Sequence, residues 1–181
     1  MEINSQDILN FWFEEIDSRL WFAKDHNFDD LIRERFTDIH NKAVLCETYD
    51  WRKTPEGRLA EIIVLDQFSR NMYRDDSRAF ENDRLALALA QEAVQSGDDQ
   101  HLSPISKAFM YMPYMHSESQ KIHEEAVRLF SQPGLEGSLE YELLHKEIID
   151  RFGRYPYRNE FLGRPSTREE LEFLKLPGST F

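Results

Sequence analysis

The sequence predicts an all-α protein built from antiparallel helical hairpins, and three observations carry that reading. No segment alternates apolar and polar residues over the length of a strand. Apolar residues instead recur at steps of three and four, the spacing that lines one face of a helix. Between these stretches stand start signals (Ser, Thr or Asn ahead of Pro or an acid) and stop signals (Gly and Pro). Roughly seven to nine helices fit the chain. Its 181 residues suit a single helical domain, 1–181, because that length closes one sizeable core.

From Ser5 to Glu15 the set Ile8, Leu9, Phe11, Trp12 and Phe13 predicts a short, broad-faced first helix that ends near Asp17. Between Phe28 and Glu47, Phe28, Ile32, Phe36, Ile39, Ala43 and Cys46 form one stripe of a long amphipathic helix. On that stripe Cys46 reads as a small core residue, since a reactive thiol needs an electropositive, partly exposed setting. Thr54, Pro55 and Glu56 give the next helix an N-cap, a first-turn proline and an acid matched to the helix dipole. After "RDDSRAFEND", Asn82 or Asp83 starts "RLALALAQEAVQSG", and Gly97 ends it. Ser103 and Pro104 start "ISKAFMYM", which Pro113 ends or kinks. His116, Ser117 and Glu118 then open "SESQKIHEEAVRLFSQPG", stopped by Pro133 and Gly134. "SLEYELLHKEIIDRFG" turns Leu139, Leu143, Ile148 or Ile149, and Phe152 inward. Ser166 or Thr167 opens "STREELEFLKLPG" with a capping box, because Glu169 and Glu170 stand three residues after each hydroxyl.

One helix raises a question. "IIVLDQFSRNMYR" is apolar almost all round and then carries Asp66, Gln67, Arg70, Asn71 and Arg74. A helix apolar on every side lies in the centre of a domain, so these groups must find partners at the edge of the core. Asp66 and Arg70 stand four apart with the acid first, the favourable order for an ion pair. Asp66 therefore reads as a structural carboxylate paired with arginine. A second polar cluster, "DRFGRYPYRNEFLGR" and the residues after it, sets Arg151, Arg154, Arg158, Arg164 and Arg168 against one acid, Glu160, over positions 151–168, with Asn159 among them. Such an island faces either the protein's own acids or a bound anion, because guanidinium groups suit bidentate contact with carboxylate or phosphate.

Composition excludes several function classes. A net charge of minus 12 and a pI near 4.9 oppose attraction to nucleic acid or an anionic membrane. No apolar run approaches the roughly 18 residues of a membrane span, and the amino end lacks an export signal, so a cytoplasmic location is expected. The lone Cys46 forms no internal disulfide, and His116 and His123 lie seven apart without a metal-ligand pattern. No metal or organic cofactor is expected, and the common nucleophile-elbow, phosphate-loop and dinucleotide signatures are absent.

Four segments carry a resemblance: "LNFWFEE", "WRKTPEGRLAEIIVLDQFSRNMYR", "YMPYMHSES" and "IIDRFGRYPYRNEFLGRPSTREELEFL". Across nearly the whole chain they resemble the bacterial family called domain of unknown function 924. The resemblance implies a tetratricopeptide-like right-handed α-superhelix and no established activity. Family members usually read "FGRFPHRN" where this chain has Tyr155 and Tyr157, so a histidine base at position 157 is not available here.

Two functions are compatible with these residues. One is a binding module whose polar groove, lined by Gln67, Arg70, Asn71, Arg74, Arg154, Arg158 and Asn159, takes an acidic peptide or small organic anion. The alternative is a metal-independent enzyme that uses His116 or His145 with Glu118 or Asp66 as acid and base, and the arginines as an anion clamp. A purely structural network is the third reading.

Overall fold

The computed structural model describes residues 3–180, which form helices, turns and loops without a strand. Helix α1 (Ser5–Asn10) opens with a reciprocal capping box between Asn4 and Asp7. It runs directly into a π-helical turn, Phe11–Glu15. Helix α2 (His26–Val44) is capped by Asp25. Helix α3 (Pro55–Ile63) starts as the sequence predicts, with the Thr54 hydroxyl accepting the Gly57 amide and Pro55 in the first turn. A second π-helical turn, Val64–Phe68, joins it to the short α4 (Ser69–Met72).

Helix α5 (Asp83–Ser96) ends on Gly97 at φ 81°, a left-handed position that glycine adopts without a Cβ clash. Ser103 caps α6 (Pro104–Met115). Helices α7 (Gln120–Phe130) and α8 (Glu136–Phe152) follow, and a Thr167 and Glu170 capping box opens α9 (Arg168–Phe173).

Consecutive helices α5, α6, α7 and α8 pack on one another, and α3 touches α1, α5 and α6. Connections as short as His116–Ser119 and Ser131–Leu135 oblige α6, α7 and α8 to alternate in direction. Helix α3 and the turn after it are buried on every side from Leu59 through Phe68, as their uninterrupted apolar run requires. Around them Phe11, Phe36 and Phe68 form one aromatic knot, with ring centroids 4.7 Å and 4.9 Å apart for the pairs Phe11 and Phe36, and Phe36 and Phe68. Among the described residues no helix is long and apolar enough to cross a membrane.

Three local expectations are corrected. Cys46 is exposed, because α2 stops at Val44 and Cys46 takes a positive φ of 58° that breaks the helical period. His116, Ser117 and Glu118 do not begin a helix; they form the loop between α6 and α7, which starts only at Gln120. Leu143 faces solvent at 49% exposure, while Glu142 and His145 are buried. The inward face of α8 is set by the pairing of Glu142 with His123 of α7, and Leu143 lies about 100° around the helix from Glu142.

Two glycines give opposite expectations. A Cβ on Gly57 would stand 2.0 Å from the Trp51 carbonyl oxygen, whereas one on Gly137, in the first turns of α8, would meet nothing within 4 Å. Gly57→Ala should lower the free energy of unfolding by about 1–3 kcal/mol through overpacking. Gly137→Ala should raise it by up to about 1 kcal/mol through helix propensity. Equal shifts in urea titrations of the two variants would contradict the packing described.

Candidate functional site

The π-helical turn after α3 inserts a polar pair into the core. Asp66 is 1% exposed and Gln67 6%, and a buried carboxylate must be compensated by hydrogen bonds and opposite charge. Its Oδ1 accepts from His116 Nδ1 at 2.7 Å and from Arg70 Nη1 at 3.1 Å, and its Oδ2 accepts from Gln67 Nε2 at 2.5 Å. Burial alone would raise the Asp66 carboxyl, but Arg70 and His116 beside it hold it well below the usual carboxylate range. Burial, and then the Arg70 charge, hold the His116 imidazole below its ordinary value even though an acid faces it. The site is therefore an ionised carboxylate holding a neutral imidazole by Nδ1–H. The opposite nitrogen, Nε2, has no hydrogen-bond partner among the described residues, and the side chain is 14% exposed.

A second acid joins the two sequence clusters. Asp83, first residue of α5, accepts from Arg70 at 2.9 Å and 3.1 Å and from Arg158 Nη1 at 3.1 Å. Arg158 then spends Nη2 on the His116 carbonyl at 3.0 Å and Nε on the Tyr157 hydroxyl at 3.2 Å. Its guanidinium carbon lies 4.7 Å from the Phe80 ring centroid and 4.6 Å from that of Tyr155, so cation–π contact fixes it from two sides. The polar end of the central helix and the arginine-rich turn thus meet, through an acid that sequence reasoning counted only as a helix start. With Asp66 and Asp83 facing Arg70 and Arg158, and His116 neutral, the cluster is balanced in charge.

The loop that carries His116 is held at three successive residues, His116, Ser117 and Glu118. The Ser117 carbonyl accepts from His123 Nε2 at 2.8 Å, which assigns the proton to that nitrogen. His123 Nδ1 faces Glu142 Oε1 at 2.7 Å. Burial raises the Glu142 carboxyl above its ordinary value, and the hydrogen bond to His123 works against that rise. Glu118 accepts the Tyr155 amide at 2.8 Å and a bidentate contact from Arg164 at 2.6 Å and 2.9 Å. Tyr155 donates its hydroxyl to the Met115 carbonyl at 2.5 Å. His145 lies beside Tyr155, 5.8 Å between ring centroids, with Nδ1–H on the Tyr141 carbonyl at 2.7 Å.

Of the residues singled out in the sequence, Asp66, Gln67, Arg70, His116 and Arg158 come together, and the others serve different partners. Asn71 and Arg74 both bond Asp29 of α2. Arg154 makes a bidentate contact with Glu170 at 2.6 Å and 2.8 Å, and Asn159 accepts from Arg164 and donates to Ser166. Four of the five island arginines are paired internally: Arg151, Arg154, Arg158 and Arg164 with Glu169, Glu170, Asp83 and Glu118. Asp29, Asp83 and Tyr157 escaped the sequence reading. The first two look like ordinary first-turn acids, and only the three-dimensional pairing shows their second role. Among the described residues no three His, Cys, Asp or Glu side chains are grouped to hold one metal ion.

Removing Asp66 would leave Arg70 and His116 without their buried acceptor. Asp66→Ala should cost about 3–5 kcal/mol in urea unfolding, and an unchanged midpoint would contradict the network. Acid sensitivity follows from the imidazoles. Burial holds His40 and His116 below the ordinary range and His145 down to about 3. The unfolded chain takes up these protons near pH 6.5 and the folded chain does not. Stability present above that pH is therefore lost as pH falls toward the folded values. His145→Gln should flatten that loss by up to about 1.4 kcal/mol per pH unit, and an unaltered slope between pH 6.5 and 4 would exclude His145 as a source.

Comparison with known proteins gives a family without an assigned activity. Residues 8–178 match the family described as bacterial protein of unknown function (DUF924). A solved structure of a protein of unknown function from Agrobacterium tumefaciens, ATU0120, is similar over 94% of this chain and 96% of its own. The two share 36% sequence identity with a TM-score of 0.90. No curated protein matches the chain. On the family match across almost its whole length, and on the shared fold at that identity, the chain belongs to the DUF924 family of bacterial proteins.

Proposed function

We propose that the Asp66 and His116 pair is a general-base site that binds a small molecule through an O–H or N–H donor and withdraws its proton. The observation that carries this reading is the asymmetry of His116. Nδ1–H is committed to a buried carboxylate, while the Nε2 lone pair is uncommitted among the described residues on a side chain that reaches the surface. An imidazole oriented in this way is a competent base, and the carboxylate behind it stabilises the imidazolium formed on proton transfer. Of the acid and base pairs the sequence allows, this one is in hydrogen-bond contact, while Glu118 is held by Arg164.

Gln67 adds a second acceptor. Its amide N–H is spent on Asp66, and its carbonyl oxygen has no partner among the described residues. A ligand with two donors fits such a site better than a second anion beside a charge-balanced cluster. Binding of an acidic peptide or small organic anion keeps one support, the Arg70 Nε–H, which makes no hydrogen bond among the described residues. On that reading succinate or phosphate raises the unfolding temperature of wild type and not of Arg70→Gln.

Hydrolysis of 4-nitrophenyl acetate, a generic probe of basic imidazole, tests the general base. The wild-type rate should rise to a plateau around an apparent pKa below 6.5 and fall at least about tenfold in His116→Gln. In Asp66→Asn the amide donor facing the ring would force the proton onto Nε2, and the rate should fall with it. His26→Gln and His101→Gln should leave the rate unchanged. Equal rates in wild type and His116→Gln would overturn the proposal.

A further inference from the structure

The other π-helical turn, Phe11–Glu15, faces the start of α6 across a separate cleft of about 310 Å³, at the lower end of small-molecule sites. Gln6, Asn10, Phe13, Glu14, Trp21 and Ser106 are among its lining residues. π-Helical turns occur often at functional sites, because the extra residue redirects side chains that a regular helix would turn elsewhere. Here the turn brings Phe13 and Glu14 to one cleft.

The lining groups differ in what they leave uncommitted. Trp21 meets Phe13 edge to face at 6.0 Å, and its indole N–H is spent on the Trp12 carbonyl at 2.9 Å. Its ring is therefore anchored and offers only its π surface. Gln6 donates its amide to Asn10 at 2.8 Å and keeps its own carbonyl oxygen as an acceptor. Ser103 and Ser106 bond to each other at 2.9 Å in capping α6. Glu14 is the one charged residue lining the cleft, and among the described residues its carboxylate has neither a hydrogen bond nor an ion pair. The adjacent Glu15 is paired with Arg35.

Beside the neutral donors of the Asn10 amide and the Ser106 hydroxyl, the cleft offers a carboxylate, an amide oxygen and two aromatic rings, and its one charged group is negative. Such a set recognises a cation through charge-assisted hydrogen bonds and cation–π contact. The chain's net charge of minus 12 concentrates cations at its surface and repels anions. The geometry points to a binding site for a small organic cation, an alkylammonium group, offered either as a free amine or as the lysine side chain of a peptide. This site is independent of the His116 pair and stands whether or not that pair is catalytic.

The test is a titration of the full chain with n-butylammonium chloride at constant ionic strength, followed by NMR at the Trp21 indole and the backbone of residues 6–14 and 103–106. Saturable shifts confined to those signals are expected, with millimolar affinity of the order of a few contacts. Glu14→Gln should weaken binding at least about tenfold, while Glu15→Gln, whose carboxylate belongs to Arg35, should not. Tighter binding of an acetylated lysine methylamide would assign the ligand to a peptide; equal or weaker binding would assign it to a free amine. Absence of saturation up to about 100 mM amine, equal affinity in Glu14→Gln, or equally tight binding of n-butanol would overturn the assignment.

Discussion

Asp66 is a carboxylate that the fold cannot leave alone. Placed in the middle of the most buried helical stretch, it requires charge and hydrogen bonds from whatever packs over the end of that stretch. Gln67 and Arg70 come from its own helix, and His116 comes from the start of the connection between α6 and α7. Arg70 in turn recruits Asp83, Asp83 recruits Arg158, and Arg158 ties down the His116 carbonyl and Tyr157. One buried charge thus sets the position of four segments of the chain. A network of this kind adds little net stability relative to an apolar core, but breaking one member costs much, so its contribution lies in specifying one arrangement.

The same compensation prepares His116 chemically. A loop carrying a catalytic or ligand-binding imidazole is ordinarily free to move, but this one is fixed at three successive residues: at His116 by Asp66 and Arg158, at Ser117 by His123, and at Glu118 by Arg164 and the Tyr155 amide. Preorganisation of this sort removes the cost of arranging the base when ligand arrives. Burial and the adjacent guanidinium keep the ring neutral, the state in which a base is useful. Both π-helical turns bring polar residues to places where a regular helix would put a different side chain, one in the core and one on a cleft. Stability and site formation are therefore linked through local helix geometry.

Much of the architecture was legible in the sequence because helix ends have local chemistry. The caps at Thr54, Ser103 and Thr167 and the left-handed stop at Gly97 occur where their residue types predict them. The burial of Asp66 followed from the apolar run around it, and its pairing with Arg70 from their spacing. What escaped is non-local. Asp29 and Asp83 stand in first turns, where an acid is already explained by the helix dipole, and nothing in the chain marks their arginine partners 45 and 75 residues away. Leu143 was placed inward because apolar residues usually are, but on α8 the paired Glu142 and His123 displace that logic. Cys46 matched a helical stripe but lies two residues beyond the point where the helix ends. The arginine island was visible as charge, but the internal pairing of four of its arginines was not, since the acids Glu118, Glu169 and Glu170 lie outside the stretch or at its edge in other structural roles.

The central claim is that Asp66 holds His116 as the neutral Nδ1–H tautomer with a free Nε2. Long-range ¹H–¹⁵N correlation spectra of histidine-labelled protein at neutral pH measure this directly, with His116→Gln supplying the assignment. The account predicts a protonated Nδ1 and an Nε2 shifted as an unprotonated imidazole nitrogen, persisting to below pH 6.5 and lost in Asp66→Asn. A proton on Nε2, or a doubly protonated ring at neutral pH, would contradict it.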